Sequence, residues 1–223
     1  MSDKEIRLAV CVPSLGDWEE QFGECLTKLL MFCAQHPFPG HPQYRGITLY
    51  KRRGSLIPLL REGFFEDCKI GKDTHCLMLD CDQTFPPDTA HRLLAHEQPV
   101  VAANVATKVL PSAPTARTFN GTEYGQACYT GNKHGLEKVW RVGAAVMLVD
   151  MAVIPKLGRG LFEVVWNPAT EQYRGEDWSF CKKCQDNDVP VMIDHDLSRQ
   201  VGHIGTYIYT HRDVFEPKQA KAA

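Results

Sequence analysis

The sequence predicts an α/β chain in which a largely parallel sheet is covered by helices. Two observations lead there. Short apolar runs of strand length alternate with stretches of helical period, strand–helix–strand, across residues 6–103. Two of those runs stop abruptly, one at Pro13-Ser14 and one at Asp80-Cys81-Asp82. The carboxyl ends of parallel strands are where such folds collect functional groups.

Residues 6–12 read as a buried strand ending at Pro13. Over 18–33, Phe22, Cys25, Leu26, Leu29, Leu30 and Cys33 share one helical face. Pro37, Pro39, Gly40 and Pro42 break the chain before a second strand at 46–50. A helix is expected over 59–68 and a third strand at 75–79. Pro86-Pro87-Asp88 opens a helix running through Leu93 and Leu94, and 99–103 is a fourth strand. The stretch 105–138, rich in Gly, Thr, Ser, Asn and Pro, reads as a functional loop or lid. Beyond it come a strongly apolar strand at 142–149, a short helix at 152–157 and loop at 158–175. A helix at 176–187, a strand at 191–194 and a polar, frayed tail at 216–223 follow. No repeat or linker interrupts this, so 1–223 is taken as one domain, with one half to about residue 104 and a less regular half from 105.

The chain has 223 residues, 43% of them hydrophobic and 23% charged, as in ordinary soluble proteins. A net charge of -2 excludes a generally basic nucleic-acid coat but leaves room for a local basic groove. No window approaches about 18 apolar residues, the length of a membrane span. The apolar run 8–13 is too short for a signal peptide. The nine cysteines are odd in number and mostly sit in apolar runs, which fits free thiols in a reducing compartment. A cytoplasmic protein is expected.

Five constellations could carry chemistry. In Cys76-Leu-Met-Leu-Asp80-Cys81-Asp82 a strand delivers two carboxylates at its end, hard ligands suited to Mg²⁺ or Mn²⁺; Asp is also common simply as a turn residue. In Gly175-Glu176-Asp177-Trp178 paired acids open a helix, where they either complement the helix dipole or offer a base. In Val201-Gly202-His203-Ile204-Gly205 a histidine lies between glycines that permit close backbone approach, as a metal ligand or as an ordinary turn residue. Cys181-Lys-Lys-Cys184 admits a zinc or redox reading, but no second pair completes a site and both thiols suit an apolar helix face. Lys51, Arg52, Arg53 and Arg61 form a basic cluster, either a solvated face or a phosphate anchor.

In order, these pieces resemble a glycosyltransferase of the GT-A fold, closest to small family-two-like, phage-type enzymes. The likeness runs through Val10-Cys-Val-Pro13-Ser14, Gly54-Ser55 to Arg61, Leu79-Asp80-Cys-Asp82 with Phe85-Pro86-Pro87-Asp88, and Pro99-Val-Val-Ala-Ala-Asn104. It continues through Gly143-Ala-Ala-Val-Met-Leu148, Gly175-Glu176-Asp177 and Gly202-His203-Ile204-Gly205. The resemblance implies a metal-dependent transfer from a nucleotide sugar, with a UDP-sugar and Mn²⁺ or Mg²⁺ as donor and ion. Pro13 and Ser14 would line the base pocket, and Arg61 would lie beside the base or diphosphate. Asp80 would meet the ribose or a metal-bound water, and Asp82 and His203 would ligate the metal. Asp177 would be the base of an inverting displacement, Glu176 would help position the acceptor, and Gly143 would let a sugar pack on backbone. The Q-x-x-R-W signature of processive synthases is absent, which argues against a processive cell-wall role.

The acceptor stays open at this point: a hydroxymethylated pyrimidine in DNA, a saccharide or a protein. Lys133, Lys138 and Arg141 could extend a phosphate-binding rim. Trp140, Trp166, Tyr173 and Trp178 could stack on a base or sugar, or simply pack. The readings outside transfer are a nucleotide-sugar-binding protein or degenerate hydrolase, which the presence of both Asp82 and Asp177 argues against, and a zinc or redox module built on Cys181 and Cys184.

Overall fold

The computed structural model describes residues 5–38, 44–122, 124–168 and 170–214. Pro39, Gly40 and Pro42 and the tail from 216 lie outside the described residues. The first half follows the expected rhythm: β1 (Ile6–Ser14), α1 (Glu20–Gln35), β2 (Tyr44–Arg53), α2 (Ile57–Gly71), β3 (His75–Leu79), β4 (Gln83–Thr84), α3 (Thr89–Ala95) and β5 (Val100–Ala102). Then come β6 (Arg117–Thr118), β7 (Gln126–Ala127), β8 (Leu136–Val139), β9 (Val146–Asp150), a 3₁₀ turn at Met151–Val153 and α4 (Ile154–Leu157). The chain continues with β10 (Val165–Asn167), β11 (Gln172–Arg174), α5 (Glu176–Asp186), β12 (Val191–Asp194), α6 (His195–Ser198), β13 (Gly202–Ile204) and β14 (Ile208–Tyr209).

Seven strands form the central sheet in the order β2-β1-β3-β9-β5-β12-β8. β1 pairs in parallel with β2 and β3, and β12 with β5. β9 runs antiparallel between β3 and β5, and β8 closes the edge antiparallel to β12. Five of the seven strands therefore point one way, and the architecture is the expected α/β one, a mostly parallel sheet flanked by helices.

Side-chain alternation explains why the strands read as unbroken apolar runs. Leu8, Val10 and Val12 of β1 face a layer built from Phe22, Leu26 and Leu29 of α1 and Leu93 of α3. Ala9 and Cys11 face the opposite layer with Phe64, Phe65 and Cys68 of α2 and Phe180, Cys181 and Cys184 of α5. A strand covered on both faces needs apolar residues at every position. α2 begins with Pro58 in its first turn and ends where Lys72 turns left-handed at φ 57°.

The second half departs from expectation in three places. The stretch read as a loop or lid contains β8, an edge strand of the main sheet, and fully buried Asn104 stitches its start into the fold. The Asn104 side-chain amide donates to the Cys128 carbonyl at 2.7 Å, and its Oδ1 accepts from the Ala116 amide at 2.9 Å. The apolar strand expected at 142–149 begins only at Val146. The loop at 158–175 carries the β10–β11 hairpin. No helix among the described residues is long and apolar enough to cross a membrane.

Candidate active site

β1, β3, β5 and β12 all end at one edge of the sheet, and the polar residues collect there. α2 carries Arg61 on the same face as Phe64, Phe65 and Cys68, so its guanidinium is driven inward and its side chain is only 4% exposed. Arg61 Nη2 donates to both oxygens of Asp80 at 2.9 Å. Nη1 donates to Glu176 Oε1 at 2.9 Å and to Asp177 Oδ1 at 2.5 Å. The ring of Phe162 lies 5.8 Å from the guanidinium carbon, and Nε is a buried donor with no hydrogen-bond partner among the described residues. Arg61, expected beside the base or diphosphate, is thus held by three carboxylates and buried beneath the cleft. It fixes the positions of Asp80, Glu176 and Asp177.

Three carboxylates on one guanidinium leave excess negative charge. Burial pushes the Asp177 carboxyl up; Arg61 opposes the rise, while Glu176 and Asp80 add to it, and the result is about 6. That value suits a proton acceptor working near neutral pH. Asp177 Oδ2 lies 3.5 Å from where a side chain on residue 143 would begin, so Gly143 leaves open space beside the carboxylate. This space is a cavity of about 280 Å³ lined by Thr115, Arg117, Arg141, Gly143, Asp177 and Trp178, among others.

Asp82 belongs to a second cluster. β13 pairs with β4 so that His203 stands opposite Gln83, and the Ile204 amide donates to the Asp82 carbonyl at 2.7 Å. His203 Nε2 comes within 3.4 Å of Asp82 Oδ2, while its Nδ1 bonds the Ala106 carbonyl at 2.9 Å. That second bond fixes the ring with Nε2 directed at Asp82. Lys108 Nζ reaches Asp82 Oδ2 at 2.5 Å, and Gln83 donates to Oδ1 at 3.0 Å. Burial raises the Asp82 carboxyl, but the bonds from His203, Lys108 and Gln83 outweigh it and hold the group well below the usual carboxylate range. Asp82 and His203 fit a divalent cation by donor type, separation and ring orientation, and the ammonium already at Asp82 marks a cation-favouring position. Asp80 is not part of this pair: its oxygens are taken by Arg61, and among the described residues Asp80, Asp82 and His203 do not converge as one ligand group.

Pro13 and Ser14 are buried at the end of β1, with Ser14 in register with Arg53. A cavity of about 460 Å³ opens one residue later, lined by 15–19, Arg53, Cys81, Asp82 and Lys108. The sequence reading missed Trp18 and Lys108 as lining residues here, while Arg53 comes from the basic cluster it singled out. A polar break straight after an apolar strand, Leu15-Gly16-Asp17-Trp18, is the signal available for the first; Lys108 carries none. The basic cluster divides: Arg52 forks onto Asp67 at 2.7 Å, Lys51 lies 5.9 Å from the Trp18 ring, and Arg61 is inside.

The glycines around His203 serve packing. A Cβ on Gly202 would stand 2.4 Å from Ile208 and 2.6 Å from Thr84 Oγ1, and one on Gly205 would stand 2.9 Å from the Tyr209 ring. Cys181 and Cys184 are fully buried in the apolar layer, and neither joins a metal-ligating group among the described residues. Trp178 is sandwiched between Arg141 and Arg174 at 4.7 and 4.9 Å, Trp140 packs on Phe119, and Trp166 with Tyr173 forms an exposed pair on the hairpin.

Solved structures resembling this architecture include the following two. A197 from STIV superposes with a TM-score of 0.61 at 12% identity, covering 98% of this chain and 98% of that one, which shows a common fold. TarS 1–349 of S. aureus in complex with UDP-GlcNAc gives 0.47 at 12% identity over 86% of this chain and 56% of that one, too loose a likeness to argue from. No protein-family model and no curated protein matches the sequence.

Proposed function

We propose that the protein is a metal-dependent glycosyltransferase. It would move a sugar from a nucleotide-diphosphate donor, with a UDP-sugar as first candidate, to a hydroxyl acceptor with inversion. The observation that carries this reading is the meeting of two unlike carboxylate sites at one sheet edge. Asp82 with His203 is poised for a cation, and Asp177 is raised toward neutrality beside a separate cavity.

In this reading the 460 Å³ cavity takes the nucleotide, with Trp18 and Arg53 at its wall, directly after the buried Pro13 and Ser14 that end β1. Asp82 and His203 would hold Mn²⁺ or Mg²⁺. When bound, the ion would neutralise charge developing on the departing diphosphate. Lys108, released from Asp82, supplies a second positive charge to the same oxygens. Arg61, itself locked by Asp80 and Glu176, keeps Asp177 in place, and Asp177 takes the proton of the acceptor hydroxyl. Gly143 gives the acceptor room to approach.

The acceptor cavity carries two arginines, Arg117 and Arg141, beside Trp178. The two arginines favour an anionic acceptor, and DNA carrying a hydroxymethylated pyrimidine fits that charge; neutral saccharides and proteins are the alternatives. The test is a screen of nucleotide sugars against modified DNA, saccharide and protein acceptors, read by product mass, with calorimetry of UDP binding with and without Mn²⁺. Mn²⁺-dependent UDP binding and a hexose- or pentose-sized mass gain are expected. Absence of both with every donor would overturn the reading.

A further inference from the structure

Away from this cleft, three potential metal ligands from three separate segments converge at the far end of the same sheet edge. They are Cys128 after β7, Glu137 in β8 and His195 at the start of α6. One ligand atom from each lies within 4.8 Å of the others. His195 is 1% and Cys128 2% exposed. We propose that Cys128, Glu137 and His195 form a zinc site that ties the 105–138 segment to the end of β12.

The donor set is a mixed sulfur, nitrogen and oxygen one, which suits Zn²⁺ over the hard cations expected at Asp82. One thiolate and one carboxylate neutralise the divalent charge, so a buried ion leaves no net charge behind. By contrast the all-thiol group Cys11, Cys68 and Cys76, completely buried in the core, would leave a surplus negative charge there. His195 is already aimed: Nε2 faces Glu137 Oε2 at 2.8 Å, and Nδ1 is tethered to Thr130 Oγ1 at 3.2 Å. Thr130 is held in turn by the Asn104 side chain at 3.2 Å. Metal-binding histidines are held through their second nitrogen in this way.

Binding displaces the Cys128 proton to solvent, so affinity increases with pH. Lys133 Nζ, 2.8 Å from Glu137 Oε2 and 4.0 Å from Cys128 Sγ, must withdraw; half of its side chain is exposed, so it can. The fourth coordination position opens to solvent on the Glu137 side, the least buried of the three.

The test uses the full chain, stripped with chelator and titrated with Zn²⁺ and with Co²⁺ as spectroscopic probe. Stoichiometric binding, tetrahedral d–d bands with a thiolate-to-cobalt charge-transfer band, and a zinc-dependent rise in Tm are expected. Cys128→Ser should abolish the charge-transfer band, while Cys25→Ser, a half-buried thiol elsewhere, should keep it. Thr130→Val should weaken binding about 10–100-fold by freeing the ring. Should His195→Gln fail to fold, Glu137→Gln, at a partly exposed position, carries the same test. No stoichiometric Co²⁺ spectrum, or one unchanged by Cys128→Ser and Glu137→Gln, overturns the site, whatever the outcome of the transfer assays.

Discussion

The proposed base role of Asp177 sets stability and function pulling in opposite directions on one side chain. Its carboxyl is raised, so the folded state holds the proton more tightly than the unfolded chain does. Stability from this group is therefore greatest at acid pH and declines as pH rises through about 6. Base catalysis needs the ionised form, so turnover should increase over the same window. Asp177→Asn should keep donor affinity, lower turnover by about 10²–10⁴, and lose no thermal stability above pH 6, because the penalised charge is gone. Near-normal turnover would remove Asp177 from the reaction. Arg61 is the opposite case, a single cation on which three carboxylates depend. Arg61→Ala should cost about 3 kcal/mol at neutral pH, the low end for a broken buried ion pair because its partners are a quarter to a third open. Urea unfolding should show the deficit shrinking as pH falls, since the stranded carboxylates then take up protons; a pH-independent deficit would mean the loss is one of packing alone.

At the level of elements, the small sheet β14-β13-β4 places His203 against Asp82, and its geometry depends on a glycine. A methyl on Gly202 meets Ile208 and Thr84 at sub-contact distance, so Gly202→Ala should shift β13. We expect a stability loss of roughly 1–3 kcal/mol from overpacking and weaker Mn²⁺-dependent UDP binding, close to that of His203→Ala. Unchanged metal dependence in both variants would take His203 out of the site, and full, still metal-dependent activity in Asp82→Ala would do the same for Asp82. The site was only partly legible in the sequence, for reasons visible in these elements. Asp80-Cys81-Asp82 could be found because a short apolar strand ends on it. Its two carboxylates diverge into different clusters, which spacing cannot show. Arg61 looked like part of a basic surface with Lys51–Arg53, yet its spacing to Phe64, Phe65 and Cys68 already put it on the buried face of α2. Gly202 was read as room for a ligand when it is room for Ile208.

Across the whole molecule, strand identity was easier to read than direction. The apolar run ending at Asp150 reads the same in either sense, so nothing local announced that β9 inserts antiparallel between β3 and β5. Nor did the polar composition of 105–138 reveal that the segment ends as the sheet's edge strand and walls the cavity beside Asp177. That wall holds like charges together: burial lowers the Arg141 guanidinium pKa and nearby Arg117 lowers it further. Two cations held at a cavity mouth are a standing repulsion that an anion would relieve, so the acceptor's charge is open to measurement without knowing its identity. With modified DNA as acceptor, kcat/KM should fall steeply with salt, and Arg117→Ala should reduce the log–log salt slope by about 1 while weakening binding evenly across sequences. The same variant should be no less stable than the parent, because it removes a repulsion. With a neutral saccharide the salt dependence should be flat and Arg117→Ala silent in that slope. A flat profile with every active acceptor would remove the anionic reading and leave Trp178 and the arginines as a packed wall, while the assignment of Asp177 would still stand on its own pH profile.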